Sequence, residues 1–210
     1  MTDKLKFSSK DNKIWFVSDL HWGHNRDFIL KPRGYENITQ SDSHILSSWN
    51  STISNDDIVF NLGDFAFMDS DSSKTKFLIN HLNCKRHYFL FGNHNSGVKQ
   101  LYEDEMKKQY GVREVEIYPL HYNDRFTFLG HYAEIYVDGQ AVVLAHYPIA
   151  SWNGMGKGAY HLNGHCHMNM PDDPTLLRLD VGWDRLKRPI SWTEVVQLMK
   201  KKTPKPVDHH

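Results

Sequence analysis

Cysteine is scarce: Cys84 and Cys166 are the only two in 210 residues. That is too few for a disulfide framework, and without C-x-x-C spacing they exclude a zinc ribbon. No charge of either sign is in surplus, since Lys+Arg and Asp+Glu both number 25 and the pI is about 7.3. A generic polyanion-coating protein is therefore disfavoured, because such binding rests on a surplus of basic residues facing phosphates. No apolar run approaches the ~20 residues of a membrane span. The opening MTDKLKFSSKDNK lacks the apolar stretch of a signal peptide. A cytoplasmic protein with no membrane association is expected. Glycine and proline, 13 and 8 residues, are too few for a collagenous or low-complexity chain. A chain of this length buries roughly 70% of its unfolded surface. One domain is expected over residues 1–203, with 204–210 a flexible tail whose His209 and His210 read as a tag remnant.

Histidine, by contrast, is abundant, at 14 residues. Several short β-branched and aromatic runs stop abruptly at polar or glycine residues. Ile14–Val17 runs into Ser18-Asp19, and Ile58–Phe60 into Asn61-Leu62-Gly63-Asp64. His87–Phe91 runs into Gly92-Asn93-His94, and Ala141–Ala145 into His146. Their length and composition predict strands, and their lack of alternation predicts burial on both faces. Helical spacing predicts helices over 41–54, 74–82 and 98–110. The alternation of strand and helix makes the first half α/β with at least partly parallel pairing. In the second half, EIYVDGQAVVLAH reads as a hairpin turning at Asp138-Gly139. Further strands are expected at 126–129, 160–162 and 176–180, and Ser191 to Glu194 reads as a capping box opening a helix through Lys200. Residues 71–73 and 154–158 read as surface loops.

The residues that close the strands carry the chemistry. In order they are Asp19, His21, Asp64, Asn93, His94, His146, His165 and His167, each a metal ligand or acid–base group by type. In open α/β sheets ligands bind outside the carboxyl ends of the strands, so five segments would deliver these groups to one rim. Asp19 and His21 are spaced i, i+2, as are His165 and His167; on an extended segment that spacing points both side chains to one side. Gly63, Gly92 and Gly164 precede Asp64, Asn93 and His165, where a Cβ would interfere with a sharp turn. Singly these motifs are weak: a D-x-H is common and G-D is an ordinary turn pair. Their conjunction, in order and each after an apolar run, is what points to a shared site.

The ordered set Asp19-x-His21, Gly63-Asp64, Gly92-Asn93-His94, His146 and Gly164-His165-x-His167 resembles the calcineurin-like metallophosphoesterases, over about residues 13–183. The stretches DLHWGHN and LGDFAF resemble one subgroup of small bacterial and phage members. The resemblance implies an α/β fold, a two-sheet β sandwich flanked by helices in four layers, α-β-β-α. It implies two divalent metal ions. Asp19, His21, Asp64 and His167 would hold the first, and Asp64, Asn93, His146 and His165 the second, so that Asp64 bridges. It implies a catalytic His94 that contacts the scissile phosphate and protonates the leaving oxygen. Two departures stand out: Asn95 follows the G-N-H where Asp or Glu is frequent, and Phe67 stands three after Asp64 where many members carry a polar residue.

Such chemistry suits a phosphodiester, whose negative oxygens repel hydroxide. Two cations ~3.5–4 Å apart neutralise that charge and lower the pKa of a bridging water, which attacks as hydroxide. Mixed oxygen and imidazole donors suit Mn²⁺ first, then Fe, Zn²⁺ or Ni²⁺. His24, Arg26 and Arg33 are candidate substrate contacts, arginine being matched to phosphate oxygens. A small phosphoester or nucleotide is the expected substrate, with nucleic acid as substrate only. A phosphomonoesterase or nucleotide pyrophosphatase would use the same metals, and a non-catalytic metal-binding interaction module is the reading of a different class. Cys166 is expected to point away from its flanking histidines.

Overall fold

A computed structural model of the protein describes residues 5–67, 72–112 and 115–205. In chain order the strands are β1 (Leu5–Phe7), β2 (Ile14–Val17), β3 (Ile58–Asn61), β4 (Arg86–Leu90), β5 (Leu120–His121) and β6 (Phe126–Gly130). They continue with β7 (Tyr132–Val137), β8 (Gln140–Ala145), β9 (Tyr160–Asn163), β10 (Arg178–Asp180) and β11 (Ile190–Ser191). The helices are α1 (Asp27–Leu30), α2 (Ile38–Thr52), α3 (Ser73–His81), α4 (Ser96–Tyr110), α5 (Trp183–Leu186) and α6 (Trp192–Met199). Two mixed sheets result, ordered β11-β2-β3-β4-β6-β5 and β1-β7-β8-β9-β10. This is the sandwich flanked by helices that the sequence resemblance implies.

The apolar runs become strands because both of their faces are covered. β2, β3, β4 and β6 pair in parallel. Their Trp15, Val17, Val59, Phe89 and Phe128 face α2, α3 and α4, while Phe16, Phe60, Tyr88 and Leu90 face the second sheet. Between the sheets, Phe16, Phe60 and Tyr88 stack ring on ring at 5.4 and 5.0 Å. Parallel pairing sends the carboxyl ends of these four strands to the same edge, so the polar residues after β2, β3 and β4 emerge side by side.

The expected helices begin one to three residues earlier than the apolar spacing marked, where Asn37 caps α2 through its side chain. The expected strand over 176–180 is formed only from Arg178. β1, β5, β11, α1 and α5 went unforeseen, since two to four residues are too short to show a period. Of the expected loop at 71–73, Asp71 lies outside the described residues and Ser73 opens α3. The segment 154–158 is not a mere surface loop. It encloses a 3₁₀ turn, Met155–Lys157, whose buried Met155 packs with Trp152 and Ala159 over Val143 on the outer face of the five-stranded sheet. Backbone N–H groups of Thr203 and Lys205 donate to Pro174 and Thr175, so the expected tail is paired at its start; residues 206–210 lie outside the described residues.

Two elements allow quantitative tests. Trp49 of α2 is fully buried, with its indole N–H donated to the Asn83 carbonyl. Trp49→Ala is expected to cost about 3–5 kcal/mol, read as a lowered urea midpoint at unchanged slope. The α6 capping box is present, and Glu194 also receives Arg188 at 2.6 Å. That hydrogen bond, with those from Ser191, outweighs burial and lowers the Glu194 carboxyl from 4.5 to about 2. Its stabilisation is complete above about pH 4.5 and is lost as pH falls through about 2. Glu194→Gln is expected to flatten this part of the acid limb when urea midpoints are compared at pH 5 and pH 2.

Candidate metal centre

The polar corners are built by backbone geometry that the sequence pattern only half discloses. Asp19, His21, Asp64, His165 and His167 all have positive φ, of 57°, 50°, 51°, 73° and 48°. The expected extended i, i+2 arrangement is therefore wrong: these pairs occupy tight left-handed corners. Asp, Asn and His tolerate that region better than most side chains. The corners are sewn together by backbone bonds. Asp19 N–H donates to Gly63 O at 3.0 Å, His21 N–H to Asp64 O at 2.9 Å, and Gly164 N–H to His146 O at 2.9 Å. Glycine is required by close approach. A Cβ on Gly92 would lie 2.2 Å from Asp64 Oδ1, and one on Gly164 would lie 2.2 Å from Asp19 Oδ2.

The result is two adjoining donor groups, Asp19–His21–His167 and Asp19–Asp64–His146, with the donor atoms of each within 4.8 Å of one another. Asp64 Oδ2 lies 3.6 Å from His21 Nε2 and 3.5 Å from His146 Nε2, so it sits between the two groups. Asn93 Oδ1 lies 2.9 Å from His146 Nε2 and 3.0 Å from His165 Nδ1. His165 enters the cluster by this route and by its backbone N–H, which donates to Asp19 Oδ2 at 2.9 Å.

Hydrogen bonding at the far ring nitrogens decides what the near ones offer. His146 Nδ1 donates to the Leu62 carbonyl at 2.9 Å, and His167 Nδ1 to Asp184 Oδ2 at 2.8 Å. In neutral rings the Nε2 lone pairs then face Asp64, Asn93 and Asp19, which are themselves acceptors. Asp19 Oδ1 and His21 Nε2 are buried without any hydrogen-bond partner. Acceptors converging in a buried space need a cation among them, and carboxylate plus imidazole donors suit divalent transition metals. The residues present therefore fit a pair of metal ions. Protonation reflects the same crowding. Burial pushes Asp19 up to about 6 and drives His21 down to about 2. Burial opposes ionisation of Asp64 too, but His146 and the His94 N–H hold it at about 2. His146 is raised: burial works against its charge, and Asp64 and Asp19 prevail.

Across this centre the sequence profile of the calcineurin-like phosphoesterases matches residues 12–207. The chain belongs to the calcineurin-like phosphoesterase family. It is similar to an uncharacterized protein of Methanocaldococcus jannaschii, 24% identical over 195 residues, covering 90% of this chain and 92% of that one. It is also similar to the Gene 66 protein of Mycobacterium phage L5, 26% identical over 208 residues, covering 90% and 94%. These archaeal and phage relatives fit the small phage-type subgroup. Among solved structures, a protein of unknown function from Aquifex aeolicus shares the fold at TM-score 0.62 and 19% identity, over 89% of this chain and 99% of that one.

Within this phosphoesterase the other expected site residues fall differently. His94 lines the same cavity of about 360 Å³ as His21, Asp64 and His165. Its ring lies against the Phe67 edge at 5.5 Å, and its backbone N–H donates to Asp64 Oδ1 at 2.7 Å. Asn95, by contrast, reaches Asp64 Oδ1 at 3.5 Å, so Phe67 rather than Asn95 packs on the His94 ring. His24 is buried, stacked on Phe67 at 3.9 Å, with Nδ1 3.2 Å from His21 Nδ1; burial, then His94, lowers it to about 4. Arg26 is exposed ahead of α1 and is not among the residues lining the cavity. Arg33, the other candidate arginine, does line the cavity, but its guanidinium is already engaged by protein groups. It is buried, and donates to Asp184 Oδ1 and Oδ2 at 2.8 and 3.0 Å, Leu20 O at 2.8 Å and Asp19 O at 2.7 Å.

Asp184 is the functional residue that sequence reading missed. It orients His167 and anchors Arg33, which together hold its carboxyl well below the usual range against the effect of burial. Its only signal was a carboxylate just beyond a short strand, in VGWDR. Asp184→Asn is expected to weaken Mn²⁺ binding about 10–100-fold, as removal of a ligand's orienting carboxylate does; isothermal titration calorimetry would measure it.

Proposed function

We propose that this phosphoesterase is a two-metal-dependent hydrolase of phosphoric esters, acting on phosphodiesters. The observation that carries the reading is the placement of Asp64 Oδ2 between His21 and His146, with the His94 ring on the wall of the same cavity. Asp19, His21, Asp64 and His167 would hold one metal ion, and Asp64, Asn93, His146 and His165 the other. When bound, such a pair supplies charge neutralisation of the phosphoryl oxygens and acidifies a water at neutral pH. Mn²⁺ is the proposed metal, from the mixture of carboxylate, amide and imidazole donors.

The chain's own residues do the rest. His94 contacts the phosphate and delivers a proton to the leaving oxygen. Phe67 and the short Asp64 contact fix its position. His24 and Phe67 shield His21 on one flank. Arg33 and Asp184 hold the carbonyl of Asp19 and the ring of His167 in place. Small phosphoesters or nucleotides are the proposed substrates, in the cytoplasm, where free thiols such as Cys84 and Cys166 are stable.

The test is cleavage of bis-p-nitrophenyl phosphate and p-nitrophenyl phosphate with Mn²⁺, Ni²⁺, Zn²⁺ or EDTA. Metal-dependent cleavage of the diester is expected, and EDTA should abolish it. Turnover of the monoester alone would favour a phosphomonoesterase, and bound metal without turnover a binding module. His94→Ala keeps the backbone bond to Asp64, so it is expected to retain metal while losing roughly 10²–10⁴-fold in rate, most with poor leaving groups. Asp64→Ala is expected to lower the occupancy of both metals together, measured by elemental analysis.

A further inference from the structure

Next to the metal centre lies a second, larger cavity of about 570 Å³. Asn93 lines both cavities, so the two adjoin at this residue. The second cavity is walled by aromatic rings. Phe91 follows β4, Tyr102 comes from α4, and Tyr118 and His131 precede β5 and β7. Tyr118 stacks on Tyr102 at 5.3 Å, and Phe91 lies 6.1 Å from Tyr118 and 5.5 Å from His131. Gly130, at φ 90°, keeps the far side of Tyr118 flat against the backbone, since a Cβ there would lie 2.8 Å from the ring.

The charges at this cavity argue against a second phosphate. Lys99 lines it, but so do Glu103, 3.9 Å from the Lys99 amine, and Glu116, 3.9 Å from His131. A wall of rings with carboxylates at its rim suits an uncharged planar group and repels an anion.

His94 faces the first cavity, so the leaving oxygen has to lie on that side of Asn93. We infer that the aromatic cavity beyond Asn93 holds the ester group that stays on phosphorus, and that it selects phosphodiesters whose retained group carries an uncharged aromatic ring. This rests on the phosphodiesterase reading and deepens it. A monoester has nothing to place there, so the cavity also gives a structural reason for diester preference.

The experiment compares p-nitrophenyl phenyl phosphate with p-nitrophenyl methyl phosphate, which share a leaving group and differ only in the retained one. With Mn²⁺ bound, kcat/KM is expected to favour the phenyl ester about tenfold or more, mostly through KM. In His131→Ala and Tyr118→Leu that preference should shrink toward unity while kcat on the methyl ester holds. His131 is largely exposed, so its variant keeps the test valid if Tyr118→Leu folds poorly. Competitive inhibition by phenylphosphonate should likewise exceed that by methylphosphonate in the native protein and not in the variants. Equal turnover of both esters would overturn the inference, as would a phenyl preference unchanged in both variants. Failure to cleave either ester would instead refute the phosphodiesterase reading, and this inference with it.

Discussion

The structure depends on one electrostatic predicament: buried carboxylates facing the lone pairs of buried imidazoles. Asp19 and Asp64 are almost wholly withdrawn from water, and the histidines around them turn their bare nitrogens inward because their other nitrogens are already spent on Leu62 and Asp184. Without positive charge such a cluster is costly. Much of the fold serves to hold it together. Parallel strands bring three chain ends to one edge, backbone bonds join the loops beyond them, and glycines let those loops approach within reach.

The cluster is supported from below by Arg33 and Asp184. The guanidinium binds two backbone carbonyls of the first corner, while Asp184 binds both the guanidinium and His167. The first and last corners, nearly 150 positions apart at Asp19 and His165, are thereby braced on one ion pair as well as by the direct bond between them. Such a pair is strongly placed because each partner has several hydrogen bonds, not because an isolated buried ion pair is stabilising.

The alternation of strand and helix and the histidine-rich edge were legible in the sequence for a physical reason, whereas the two-sheet sandwich was implied only by the family resemblance. Strands buried on both faces leave unbroken apolar runs, and a run that ends at Asp, Asn or His marks where the chain leaves the core, as at Asp64, Asn93 and His146. Residues whose role comes through other side chains leave no such mark. Arg33 and Asp184 sit in short, irregular segments, so one resembled a candidate phosphate contact and the other drew no notice. The local geometry was misread for a related reason. Alternation describes extended chain, but nothing in a D-x-H or H-x-H spacing reveals that Asp19, His21, His165 and His167 lie in left-handed corners.

Those corners limit which amino acids can serve as donors here. A left-handed backbone admits aspartate, asparagine and histidine at modest strain, and resists longer or branched chains more strongly. Glutamate, the longer carboxylate, is thus disadvantaged by the main chain before any affinity is considered. The donor chemistry of the centre is in this sense written partly into its dihedral angles, which favour a vocabulary of short oxygen and imidazole donors.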